Sequence, residues 1–167
     1  MNQRLSPHAD PGFDSAWFRT VLGHFASGVV VVTSADDDGP VGFTCQSFFS
    51  VSLEPPLIAV APGRGSSSWP RIAETGVFCA NVLTEDQEPL CRVFANTGAD
   101  KFRGVGWRPG TTGSPVLSDV LAWVECSIES VQDAGDHYLV LGRVVEMGHG
   151  HGRPLVFYRG GFGTFEA

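Results

Sequence analysis

Positive charge is scarce in this chain of 167 residues. Lysine occurs once, at Lys101, and Lys and Arg together number 11 against 18 Asp and Glu, a formal charge of −7. Nucleic-acid binding is driven by clustered Lys and Arg, so this balance argues against a nucleic-acid partner. An anion site must then use arginines, backbone N–H groups or hydroxyls. Long apolar runs are also missing. None approaches the ~18 residues that span a bilayer, and residues 1–12, MNQRLSPHADPG, have no apolar signal-peptide core. They read as a flexible tail ahead of one domain over 13–167. A cytoplasmic protein with no membrane partner is the expectation.

Several chemical signatures are absent. The cysteines at 45, 79, 91 and 126 form no CxxC pair and fit no zinc spacing; they read as buried, reduced thiols. There is no GxGxxG between strand and helix, no GxxxxGK[ST], no HExxH and no GxSxG. The HGHG run at 149–152 reads as a solvated Gly-rich loop, because ligand histidines need supporting hydrogen bonds. No metal site is expected.

What remains is a turn-rich, half-apolar chain: 43% hydrophobic, 17% charged, with 21 Gly and 11 Pro. Residues 14–26 place Trp17, Phe18, Val21, Leu22 and Phe25 on one helical face behind an Asp14 or Ser15 N-cap. Residues 27–34 carry SGVVVVTS, a buried strand. ADDDGP turns the chain, and further strands follow at 41–48, about 50–53 and 57–61, the last two separated by Pro55 and Pro56. Residues 62–75 read as a Gly loop entering a short helix, and 76–83 as a strand. Thr84 and Gln87 have capping-box spacing for a helix burying Leu90, Val93 and Phe94. Residues 96–115 read as loop. LAWVECSIESV and HYLVLGRVVEM form a hairpin around QDAGD, and 155–165 adds one or two strands. Eight or nine strands with two or three short helices do not alternate as β-α-β. The fold class is therefore mostly antiparallel β, closed as a barrel.

The segment GFTCQSFFSVSLEPPLI, 42–58, threads Thr44, Gln46, Ser47, Ser50 and Ser52 through an otherwise strand-like run. Such a ribbon suits a planar heteroaromatic ligand, whose faces want apolar groups and whose edge wants small donors. It also suits a half-exposed strand whose hydroxyls face water. PGRGSSSWP, 62–70, supplies Arg64 and three serines, Ser66, Ser67 and Ser68, at a helix mouth. There the reading is a lysine-free phosphate cradle or ordinary N-capping. His137 opens a strand after the Gly135-Asp136 turn, either as a surface residue or as an imidazole over a pocket mouth.

Taken together, GHFASGVVVVTS, GFTCQSFFSVSLEPPLIAVAPGRGSSSW, FCANVL, GDHYLVLGRV and PLVFYRGGF resemble the short-chain flavin reductases with an FMN-binding split barrel, from about residue 17 to 163. The resemblance implies a homodimeric, Greek-key-like antiparallel barrel. It implies reduction of FMN, or FAD, by NADH or NADPH, with delivery of reduced flavin to a separate monooxygenase. It implies that Thr44, Cys45, Gln46 and Ser47 line the isoalloxazine edge. Ser50, Val51 and Ser52 would hold the ring and ribityl chain. Ala61 and the loop Arg64, Ser66, Ser67, Ser68 would approach the ribityl and phosphate, with Phe94, Lys101 and Phe102 as further contacts. His137 matches the histidine associated with nicotinamide, and Tyr158 and Arg159 lie near the same mouth. Two positions depart from the family pattern: Cys45 replaces a small alanine, and Gln46 replaces asparagine or a smaller polar residue. Two rival readings share the barrel. One is a flavoprotein that keeps its FMN and reduces its own substrate. The other is a non-enzymatic flavin or haem binder.

Overall fold

A computed structural model describes residues 12–98 and 100–166. The expected N-terminal tail therefore lies, apart from Gly12, outside the described residues. Helix α1 (Ser15–Leu22) starts where Asp14 caps the Trp17 N–H at 2.7 Å and stops at Gly23, earlier than the apolar pattern suggested. The strands follow as β1 (Ser27–Gly28), β2 (Val30–Asp36), β3 (Gly39–Cys45), β4 (Phe48–Leu53) and β5 (Pro56–Val60). After α2 (Trp69–Thr75) come β6 (Val77–Val82), a 3₁₀ turn at Glu85–Gln87 and α3 (Glu88–Ala95). The chain ends with β7 (Trp107–Pro109), β8 (Pro115–Leu117), β9 (Ala122–Ala134), β10 (His137–His149), β11 (Leu155–Tyr158) and β12 (Gly161–Thr164).

Seven strands form one antiparallel sheet in the order β3-β2-β6-β9-β10-β5-β4. Its edge strands, β3 and β4, are consecutive in sequence and separated only by Gln46 and Ser47. Three Cα steps reach at most about 11 Å, so the sheet must curl until its edges nearly meet. One apolar cluster confirms the closure: Val41 and Phe43 of β3 pack with Ile58 and Val60 of β5, Phe78 of β6, Cys126 of β9 and Val140 of β10. The result is a split antiparallel barrel: α2 buries Trp69 and Ile72 in this same cluster, whereas α3 packs Cys91 and Phe94 into a second one.

The four-valine run is explained by burial on both faces. Val30 and Val32 belong to the barrel interior, whereas Val29 and Val31 join a second cluster with Leu83, Cys91, Phe94, Phe102, Leu117 and Leu155 outside it. A strand covered on both sides loses the polar alternation of a half-exposed one. All four cysteines are free and buried.

Several sequence expectations need correction. The capping box at Thr84 and Gln87 forms, but it opens the 3₁₀ turn before α3. In α3 the buried positions are Cys91 and Phe94, while Val93 is exposed. The loop-rich stretch 96–115 carries β7, which pairs with β8 as a short hairpin. That hairpin is held by the fully buried Glu125, whose carboxylate accepts Thr111 N–H and Thr112 N–H, both at 2.9 Å, and the Thr112 hydroxyl at 2.6 Å. A strand of only three residues flanked by Gly and Pro gives no periodic signal. The β9–β10 turn is two residues long, Gly135-Asp136, with Gly135 at φ +68°. Among the described residues no helix is long and apolar enough to cross a membrane.

Helix α1 has no buried residue: Trp17 is 60% and Leu22 56% exposed, and Phe25 just beyond it 81%. On β4, Leu53 is 91% exposed, and Phe49 and Val51 are exposed too.

Gly142 in β10 leaves room for Phe78, since a Cβ there would sit 2.6 Å from the ring. Phe78→Ala is expected to destabilise the fold by about 3–5 kcal/mol, read from urea unfolding midpoints. A loss below about 1 kcal/mol would mean that the barrel interior collapses around the missing ring.

Candidate functional site

The Gln46–Ser47 corner is where the barrel splits. The Ser47 hydroxyl accepts the Ala61 N–H at 3.1 Å and donates to the Ala61 carbonyl at 3.2 Å, so the corner is pinned to the end of β5. The Cys45 thiol lies 3.0 Å from the same hydroxyl. Burial raises the Cys45 pKa, outweighing the Ser47 hydrogen bond, so this thiol stays protonated and inert. The Thr44 hydroxyl donates to the Cys91 carbonyl at 2.6 Å, tying β3 to α3.

Across from the corner, the β9–β10 turn docks on the loop after β5. Tyr138 N–H donates to the Pro62 carbonyl and Arg64 N–H to the Asp136 carbonyl, both at 2.9 Å. The Arg64 side chain reinforces this contact. Its Nε donates to the Gly135 carbonyl at 2.8 Å, it pairs with Asp133, and it lies 4.6 Å above the Tyr138 ring. These contacts bring the His137 ring over Gly63, with Nε2 3.6 Å from where a Gly63 Cβ would stand. Asp136 holds His137 Nδ1 at 2.8 Å, and that hydrogen bond keeps the exposed Asp136 carboxyl below its usual range.

Between corner and turn runs a groove of two adjoining cavities, about 460 and 160 Å³, which share Phe43, Thr44, Gly63 and Ala95. One end is walled by Cys45, Gln46, Ser47, Ala61, Pro62 and His137. The other is walled by Ser66, Ser67, Ser68, Phe94, Asn96, Thr97 and Lys101. A third cavity shares Ser67, Ser68 and Lys101 with that end and adds Phe102.

The Lys101 ammonium meets only neutral oxygens: the Gly42 carbonyl at 3.1 Å, the Phe94 carbonyl at 3.2 Å and the Ser68 hydroxyl at 3.5 Å. It makes no ion pair among the described residues. Burial lowers its pKa below the usual lysine value. Beside it, the N–H groups of Ser67 and Ser68 find no acceptor among the described residues. The same holds for Gln46 and Ser47 at the other end. A partly buried cation next to unpaired donors is incomplete without an anion. A ligand with a phosphate at one end and a polar-edged ring at the other fits this groove.

Of the sequence-predicted residues, the structure gathers Thr44, Cys45, Gln46, Ser47, Ala61, Ser66, Ser67, Ser68, Phe94, Lys101 and His137 around the groove, with Phe102 in the adjoining cavity. Ser50, Val51 and Ser52 are not among them; they sit on the edge strand β4. Arg64 faces the hairpin instead of the serines, and Lys101 stands beside Ser68 at the serine end. The hydroxyls also differ from expectation. Those of Thr44, Ser47 and Ser68 bond to the chain itself, Ser68 to the Gly42 carbonyl at 2.8 Å, and Ser66 caps Trp69 N–H. Backbone N–H groups are left as donors for a ligand, along with the Ser67 hydroxyl and the Gln46 amide, which bond to nothing among the described residues. Arg159 lines a separate cavity that meets the groove at Gln46, and Tyr158 is exposed nearby. Sequence reasoning missed Phe43, Ala95, Asn96 and Thr97. The last three lie where α3 ends, a place no motif marks.

Residues 22–166 match the flavin reductase like domain. The reductase subunit HsaB of a flavin-dependent monooxygenase from Rhodococcus jostii is 46% identical over 159 residues, covering 95% of this chain and 82% of that one. The FMN reductase (NADH) SmoA of Agrobacterium fabrum is 41% identical over 154 residues, covering 92% and 88%. The crystal structure of nitrilotriacetate monooxygenase component B from Mycobacterium thermoresistibile superposes with a TM-score of 0.89 at 42% identity, covering 92% and 87%.

Lys101→Gln is expected to weaken FMN binding ~10–100-fold, the value of one charge-assisted hydrogen bond, and to leave riboflavin binding nearly unchanged. The sign with pH follows from the lowered pKa. The phosphate contact is present while Lys101 is protonated and is lost as pH rises through its folded value, before the usual lysine range is reached. FMN affinity relative to riboflavin should therefore fall on the alkaline side in the wild type and stay flat in Lys101→Gln. Titration of flavin fluorescence reads both, and equal losses for the two flavins would contradict the phosphate assignment.

Proposed function

The chain belongs to the flavin reductase-like family, and from that membership we propose that it reduces FMN with NAD(P)H and hands the reduced flavin to a separate monooxygenase. The observation that carries the reading is the groove with an uncompensated cation at one end and unpaired ring-edge donors at the other. When bound, the flavin supplies the acceptor for the hydride leaving nicotinamide C4.

The chain's own residues position and stabilise. Ser47, fixed on both sides of Ala61, keeps the corner from moving, so the Gln46 and Ser47 N–H groups stay aimed as a set. Fixed backbone dipoles cost no reorganisation when negative charge gathers on a ring edge. Lys101 with the Ser67 and Ser68 N–H groups takes the phosphate. His137, fixed at Nδ1 by Asp136, presents Nε2 above Gly63, where a nicotinamide carboxamide can accept or donate. No side chain removes a proton in the hydride step. FMN is favoured over FAD because the serine–lysine end suits a terminal phosphate, and NADH by similarity to a reductase named for it. Residues 13–167 act as one unit.

The protein works as a homodimer in this reading. Trp17 and Val21 on α1, and Phe49, Val51 and Leu53 on β4, are large apolar side chains left exposed, as at surfaces that a partner covers.

Turnover is tested by mixing the purified protein with NADH or NADPH and FMN, FAD or riboflavin, and following the nicotinamide absorbance band. Oxidation that depends on added flavin is expected. A yellow cofactor that does not exchange would favour a flavoprotein reducing its own substrate, and no oxidation with any pair would exclude a reductase. His137→Ala should raise KM for the nicotinamide or lower kcat by about tenfold, one lost hydrogen bond, with little change in flavin Kd. Equal losses in both would remove His137 from the donor side. Val21→Asp should convert the dimer to monomers in light scattering. A wild type already monomeric at micromolar concentration would refute the assembly.

A further inference from the structure

The described chain contains nine arginines, and most are already engaged. Arg64, Arg71, Arg92, Arg103, Arg143 and Arg153 pair with carboxylates. Arg108 stacks on Trp123 at 5.1 Å. Two remain without a carboxylate or a ring among the described residues, Arg19 and Arg159. Arg19 donates only to Ser15 on its own helix, at 3.2 Å. In a chain of net charge −7, two free guanidiniums are conspicuous, and both line the same cavity.

That cavity, about 610 Å³, lies between α1 and the β11–β12 turn. The turn is built to hold Arg159 there. Arg159 and Gly160 both have positive φ, +49° and +83°, as a tight hairpin with right-twisted strands requires. Arg159 N–H donates to the Gly23 carbonyl at 3.0 Å, locking the turn onto the end of α1. Phe18, Phe25 and Phe157 supply apolar wall, and no carboxylate among the described residues lines the space. Gln46 belongs to this cavity and to the ring end of the groove. In the reductase reading the flavin phosphate would lie at Lys101, in the part of the groove away from Gln46, which leaves this cavity to another ligand.

We infer that Arg19 and Arg159 bind the diphosphate of the nicotinamide dinucleotide and that its adenosine lies along the phenylalanine wall. The inference rests on the reductase reading. Because this cavity and the groove share Gln46, a dinucleotide whose nicotinamide stacked on the ring there would reach the cavity with its diphosphate. Two guanidiniums match two singly charged phosphates in number and can bind each bidentately. Aromatic faces take an adenine without demanding its hydrogen bonds. Gln46, larger than its counterpart in the family pattern, then sits at the bend between nicotinamide and diphosphate.

The test compares two hydride donors, NADH and 1-benzyl-1,4-dihydronicotinamide, which carries the reacting ring without phosphate or adenosine. Arg19→Gln and Arg159→Asn are used, asparagine because it tolerates positive φ. Each variant should raise KM for NADH at least about tenfold, the effect of one charge-assisted contact. The effect on the benzyl donor should be at least about tenfold smaller. Flavin Kd, measured in the same samples, reports that the groove is intact. Arg19→Lys should recover part of the NADH affinity. Equal losses for both donors, or an unchanged KM for NADH, overturn the assignment while leaving the reductase reading standing. A wild type that oxidises neither donor overturns both.

Discussion

Two residues, Gln46 and Ser47, hold the molecule to its shape. They are the whole connection between β3 and β4, strands at opposite edges of a seven-stranded sheet. A connection so short leaves the sheet no choice but to roll up, and it leaves a seam where the edges meet without pairing. The seam is the opening of the barrel and one end of the groove. Backbone donors at the corner have no partner strand, which is why they remain for a ligand. Closure of the fold and creation of the site are one geometric event.

Everything else at the site is attached to that corner by long-range contacts. Ser47 ties it to Ala61 at the end of β5. The loop after Ala61 is in turn gripped by the β9–β10 turn through Pro62, Arg64 and Tyr138. His137 is thereby set opposite the corner. At the far end, α3 and the segment after it bring Lys101 to Ser68, 33 positions away in the chain. A positive charge held among carbonyls is costly, and keeping it there is reasonable only if an anion completes it.

Much of this was legible in the sequence, and the failures have physical reasons. The α1 face, the doubly buried valine run and the hairpin around Gly135 follow from periodicity and turn chemistry. The β7–β8 hairpin did not, because three residues cannot show a period. The polar ribbon was recognised as special, but a serine in a sequence does not say to whom it bonds. Here Thr44, Ser47 and Ser68 bond to the chain and shape the groove. Arg64 looked like a phosphate ligand because it neighbours three serines; its partners, Asp133 and Gly135, lie about 70 residues on. Local spacing finds candidates, and only the fold decides which direction each faces. The resemblance to flavin reductases supplied Lys101, which no local pattern singles out, while His137 was marked by its place after the Gly135-Asp136 turn, with a surface role as the alternative.

The central claim is that a flavin lies along this groove with its ring at the Gln46–Ser47 corner. A crystal structure of the protein with FMN tests it most directly. The account predicts density for the tricyclic ring between that corner and His137, and for the phosphate against Lys101 and the Ser67 and Ser68 N–H groups. A ring bound outside the seam, or a phosphate at the His137 end with Lys101 still unpaired, would contradict it.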